Sequence, residues 1–136
     1  MFLLDTNVVS ELRRGARCDV RVAAWQAAQK PEVCFLSAIT LLEIRLGIEL
    51  ARKKDREKGE ILEVWLEGRV KRSFAGRILP VDEVVGERCG RLHAERSRSF
   101  RDGLILATAA VHDLTVVTRN LKDFADGGVR VINPWD

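Results

Sequence analysis

The stretch Phe2-Leu3-Leu4-Asp5-Thr6-Asn7-Val8-Val9-Ser10-Glu11 decides the fold. Three apolar residues suit a short buried strand. An acid followed by two more residues that favour helix starts then turns the chain from strand to helix at Asp5. The helical pattern should run over residues 6–14 and end at Gly15. Working outward, apolar runs at 33–36, 78–81, 115–118 and 129–132 also read as strands. Between them lie helical patterns at 19–30, 37–52, 55–72, 82–96 and 101–112. The basic, glycine-containing stretch 68–77 reads as a loop or a frayed helix end. Strands alternating with helices imply βαβ crossovers. The expected fold is therefore α/β, a three-layer α/β/α sandwich around a mostly parallel five-stranded sheet. Ligands of such sheets sit beyond the carboxyl ends of the strands, which draws attention to Asp5.

Composition narrows the function classes. A chain of 136 residues with 46% apolar and 32% charged residues is long enough for one domain, 1–136, with its own core. The balance of 23 Lys and Arg against 20 Asp and Glu gives net +3, compatible with a polyanionic partner without demanding one. Cys18, Cys34 and Cys89 form no CxxC or Cys/His cluster, so neither a disulfide framework nor a zinc site is indicated. No membrane-length apolar run and no basic n-region precede the first strand, so no membrane association and a cytoplasmic location are expected.

Four acids could carry chemistry. Asp5 follows the first strand and can equally be a helix cap. On a helix over 37–52, Glu43 neighbours Ile39, Thr40, Leu46 and Gly47, with Leu50 further along. It would interrupt an apolar face, and then needs a salt bridge, a proton or a cation. Asp102 opens the last long helix, where the dipole alone favours an acid, yet Ser99 is already available as a cap. Asp123 lies in Thr118-Arg119-Asn120-Leu121-Lys122-Asp123-Phe124, whose polar residues can also simply build a turn. Parallel topology can converge these four acids on one cleft. Two carboxylates about 4 Å apart repel by roughly 4 kcal/mol at an effective dielectric near 20. Protons or a cation must then compensate, and oxygen-only ligation selects Mg²⁺, with Mn²⁺ as a substitute. His93 and His112 sit on different helical patterns and offer little for metal-free catalysis.

Read with their flanks, these positions resemble the PIN-domain family, specifically the VapC/FitB-type toxins of bacterial toxin–antitoxin pairs. The resemblance runs through 3–11, Leu36-Ser37-Ala38-Ile39-Thr40 leading to Glu43, and Arg45-Leu46-Gly47. It continues through Phe74-Ala75-Gly76-Arg77-Ile78-Leu79-Pro80, Asp102-Gly103-Leu104-Ile105, Thr118-Arg119-Asn120 and Asn133-Pro134-Trp135. It implies a Mg²⁺-dependent endoribonuclease acting as a toxin, a VapB-like antitoxin, a homodimer, and contact with DNA only indirectly through the antitoxin. Catalytic roles carry over to Asp5, Glu43 and Asp102. The fourth acid is expected at Asp123, with Thr6, Thr118 and Asn120 in support. Asp5 and Asp102 are expected to bind the metal directly. Basic residues, among them Arg52, Lys53, Lys54, Arg69, Lys71, Arg72, Arg77, Arg96, Arg98 and Arg101, could meet RNA phosphates or simply solvate helix faces. Without Tyr or interleaved aromatics, base stacking is expected to contribute little. Trp25 and Trp65 read as core residues or as interface anchors. A catalytically silent PIN module binding RNA or protein is the alternative. A receiver-like phosphoacceptor domain fits poorly, for want of a second acid at the first strand.

Overall fold

The computed structural model describes residues 1–136. Five parallel strands, β1 (Phe2–Leu4), β2 (Cys34–Ser37), β3 (Ile78–Leu79), β4 (Thr115–Val117) and β5 (Val131–Ile132), lie in the order β3-β2-β1-β4-β5. Every neighbouring pair is parallel. The order builds outward from β1 in one direction and then restarts on its other side at β4. The β1/β4 junction is therefore the switch point, where the two flanking connections diverge and leave a crevice. Asp5 follows β1 and Thr118 follows β4, so both stand at its mouth.

Alternation along the strands sorts the core into two layers. Leu4, Leu36 and Val117 face one way, packing with Val8, Val9, Val22, Ile44 and Ile48 from α1 (Thr6–Leu12), α2 (Val20–Ala27) and α3 (Ala38–Lys54). Leu3 and Val116 face the other way, against Val85, Leu92, Ile105 and Leu106 of α6 (Glu83–Glu95) and α7 (Phe100–Val111). This is the expected three-layer sandwich.

The boundaries differ from expectation where single residues overrule the pattern. Residues 68–73 are helical rather than a loop. α4 (Arg56–Trp65) widens into a π-helical turn, Leu66–Val70, and closes in α5 (Lys71–Ser73). Leu66 and Val70, one turn apart, are both buried in the core. β3 stops at Leu79 because Pro80 has no N–H for the ladder. Val33 belongs to a 3₁₀ turn, Pro31–Val33, which shifts β2 one residue forward. Gly128, at φ 75°, holds the chain out of extended geometry and delays β5 to Val131. A short α8 (Leu121–Phe124) occupies what looked like a turn.

Close approaches fix the helix pairs. A Cβ at Gly59 would fall 2.6 Å from Arg52 Cβ, so its absence lets α4 cross tightly over α3. Above that crossing, Arg45 pairs with Glu49, Glu63 and Glu67, and Arg52 with Glu49, Glu60 and Glu63. Lys71 pairs with Glu67, and Arg77 donates to the carbonyls of Pro31, Cys34 and Ser73. Of the cations grouped above as phosphate contacts or solvated helix faces, Arg52, Lys71 and Arg77 are thus engaged within the fold. Trp25 meets Phe2 edge-on at 5.1 Å, Trp65 lies under the Arg13 guanidinium, and both pack against the first core layer.

Candidate active site

Asp5 fills the capping role that the sequence offered it and also closes the strand ends. Its backbone N–H donates to Val117 O at 2.9 Å, extending the β1–β4 pairing by one residue. Its Oδ1 then accepts the Thr6 N–H at 2.8 Å and caps α1. Oδ2 accepts from Thr118 Oγ1 at 2.7 Å and from Asn7 Nδ2 at 3.3 Å. Thr118 in turn accepts from Asn7 Nδ2 and from the Asn120 N–H. The switch point is thus closed by a polar network joining the ends of β1 and β4, with a carboxylate only 5% exposed at its centre.

Glu43 and Asp102 approach from two other helices. Glu43, just past the first turn of α3, accepts the Thr6 hydroxyl at Oε1, 2.6 Å, and Thr6 Oγ1 also lies 3.2 Å from Thr40 Oγ1. Its Oε2 is 3.7 Å from Arg101 Nη1, the cross-segment ion pair considered as a plain structural role. The apolar face expected around Glu43 is corrected: Leu46 and Leu50 are 45% and 53% exposed, and the buried residues of α3 are Ile39, Thr40, Ile44 and Ile48. Glu43 therefore stands at the rim of the core, with access to the cleft. Asp102 is freed from capping α7, because Ser99 Oγ accepts the Asp102 N–H at 3.2 Å.

Asp5, Thr6, Glu43, Asp102 and Asn120 line one open cleft of about 520 Å³. Asp123, expected as the fourth acid, sits on α8 and does not line it; the side chain at that edge is Asn120. Neither histidine lines the cleft. Sequence reasoning assigned no site role to Asn7, Ser10, Glu11, Arg14, Arg119 and Trp135, which complete the lining. A signal existed, since positions 7, 11 and 14 recur at the spacing of one helical face.

Burial dominates the electrostatics. Desolvation pushes the Asp5 carboxyl up from its ordinary 3.8 to about 6, opposed by the Thr118 and Thr6 hydrogen bonds and reinforced by the charges of Glu43 and Asp102. Glu43 and Asp102 are thus each close enough to act on Asp5. No three Asp, Glu, His or Cys side chains close into a metal cage. The acids still suit a hard cation, since Asp5, Glu43 and Asp102 offer oxygens and neither Cys nor His enters the cleft. An ion of the Mg²⁺ type, which keeps most of its waters and takes one or two carboxylates, needs no such cage.

A family model for the PIN domain matches residues 2–128. The chain belongs to the PIN domain family. It is 40% identical to VapC ribonuclease Y4jK of Sinorhizobium fredii, over 100% of this chain and 99% of that one. It is 41% identical to toxin FitB of Neisseria gonorrhoeae, over 99% of each. The crystal structure of FitAcB from Neisseria gonorrhoeae superposes with a TM-score of 0.90 at 41% identity, over 99% of both chains. No helix of this PIN domain is long and apolar enough to cross a membrane.

Proposed function

We propose that this PIN domain is a Mg²⁺-dependent endoribonuclease and the toxin of a toxin–antitoxin pair. The observation that carries the reading is the convergence of Asp5, Glu43 and Asp102 on the switch-point crevice, with Asp5 desolvated by burial and by its polar network. The full-length similarity to a chain named a VapC ribonuclease and to toxin FitB supports the same conclusion.

Asp5 and Asp102 would hold the ion, with Glu43 and Asn120 holding its waters. Bound there, the cation supplies a water of lowered pKa and polarises a phosphate oxygen. Thr6 and Thr118 orient the Glu43 and Asp5 carboxylates through their hydroxyls. Glu43 Oε2, the oxygen that Thr6 does not engage, takes the proton of the attacking water. Attack by water rather than by the ribose hydroxyl leaves a 5′-phosphate and a 3′-hydroxyl. A VapB-like antitoxin and a second copy of the chain would be the protein partners, with DNA reached through the antitoxin.

The chain expressed alone in cells should generate new 5′-phosphorylated RNA ends, absent with Asp5→Asn. The purified protein should cut RNA with Mg²⁺ or Mn²⁺ and stop with EDTA. The lack of a closed acidic cage is the observation that favours a catalytically silent module, and cleavage-free RNA binding in that assay would establish it.

A further inference from the structure

The catalytic reading leaves the first turn of α7 unused on the side away from Asp102. Phe100 is 75% exposed there. Its ring stacks on His93 with centroids 4.7 Å apart and planes 18° from parallel. His93 is fixed from behind, because α7 carries no side chain at Gly103. A Cβ there would sit 2.1 Å from His93 Nε2 and 3.2 Å from Cys89 Sγ. One face of Phe100 is therefore held flat against a clamped ring, and the other is turned to solvent.

The surroundings are cationic. Arg101 is 51% exposed and reaches Glu43 only at 3.7 Å, a pair weak enough to open. Arg96 and Arg98, at the turn that leads into α7, both donate to the Ala125 carbonyl, at 3.1 and 3.4 Å. Successive residues of a helix step by about 100°, so Asp102, Arg101 and Phe100 follow one another around the end of α7. A chain entering the cleft at Asp102 crosses Arg101 before it reaches Phe100. A rigid aromatic face combined with arginine charge matches a nucleobase and its phosphates. The residues that flank Phe100 along the chain, 97–99 and 101, are Ser, Arg, Ser and Arg, polar and cationic rather than apolar.

We propose that Phe100 is a stacking platform for an unpaired RNA base, and that Arg101 leaves Glu43 to hold the phosphate between that base and the cleft. The proposal rests on the ribonuclease reading and adds to it a base-binding subsite on α7, outside the acidic cleft. It also reverses the sequence expectation that stacking contributes little, since a single aromatic, once clamped, suffices as a platform.

The test uses full-length protein carrying Asp102→Asn and twelve-nucleotide single-stranded RNAs with 2-aminopurine at successive positions, alongside a fully paired RNA duplex. One position should be quenched on binding. Phe100→Ala should abolish that quench and weaken single-strand binding by about 5- to 150-fold, with duplex binding unchanged. Phe100→Trp should retain both signals, while Phe100→Leu, which keeps the apolar cover over His93, should behave as Phe100→Ala. Equal binding by all variants, full rescue by Leu, or equal losses on the duplex would overturn the platform. So would a changed sedimentation coefficient as the sole effect of Phe100→Ala, which would mark a protein contact. If the unsubstituted chain still cuts RNA and Phe100→Ala cuts it equally well, only the platform falls. If that chain neither binds nor cuts RNA, the nuclease reading falls with it.

Discussion

Replacing Asp5 with Asn should make the metal-free protein more stable at neutral pH while removing its response to Mg²⁺. Asp5 is nearly buried, and its carboxyl is pushed from 3.8 to about 6, mainly by desolvation. For an acid whose folded value is raised, the group's contribution is fully favourable below 3.8 and is lost as the pH climbs through about 6. At pH 7.5 the ionised Asp5 therefore costs about 3 kcal/mol, at 1.36 kcal/mol per tenfold change in proton affinity. Asn removes this charge penalty and keeps an oxygen for the Thr6 N–H. It loses the Asn7 contact and forces Thr118 to reorient, at a cost of about 1 kcal/mol. The net gain is about 2 kcal/mol, or roughly 7 °C in melting temperature for a chain of this length. At pH 4.5 the penalty falls to about 1 kcal/mol, and the two proteins should melt together. Thermal unfolding followed by circular dichroism, in EDTA at both pH values, reads this directly. Adding Mg²⁺ at a hundred times its Kd should then stabilise the unsubstituted protein by about 2.7 kcal/mol and leave Asp5→Asn unmoved. A substituted protein that melts lower at pH 7.5, or by the same margin at both pH values, would refute the buried-charge argument.

Thr118→Val removes the hydroxyl that favours the ionised form of Asp5. The Asp5 carboxyl should rise further above about 6, so the acidic limb of the cleavage pH profile should move to higher pH. Stability should also fall by about 1–3 kcal/mol as the Asn7 and Asn120 donors lose their acceptor. Gly103→Ala should destabilise by about 1–3 kcal/mol through the clash with His93, and His93→Ala in the same chain should recover most of it in a double-mutant cycle of denaturant midpoints. Asp102→Asn should reduce Mg²⁺-dependent cleavage by roughly 100-fold or more while changing the metal-free melting temperature little, because Ser99 carries the cap. A collapse of folding in that variant would make Asp102 structural.

The sheet and its helices were legible because each strand is a short apolar run and each long helix opens on a capping side chain: Asp5, Asp19, Ser37, Asp55, Asp82 and Ser99. Periodicity could not show the widened turn at Leu66–Val70, because residues four apart share a face in an ordinary helix as well. The convergence of Asp5, Glu43 and Asp102 was readable from strand ends and motif order. Which leucines of α3 face solvent was not, because that depends on where α4 lands after its tight crossing at Gly59. Asp123 looked equivalent to Asn120 on the chain, and only the short α8 separates them by holding one at the cleft and turning the other away. Phe100 was invisible as a surface feature, since its stacking on His93 joins two helices that are separate on the chain.

Both margins of the sheet are stubs. β3 has two residues and is cut off by Pro80, and β5 has two residues preceded by the bend at Gly128. Neither offers a run of free amides and carbonyls long enough for a foreign strand to zip onto. A protein partner therefore finds no strand to extend, and the outward leucines at 42, 46 and 50, spaced one turn apart, are a ready-made seam for a helix instead.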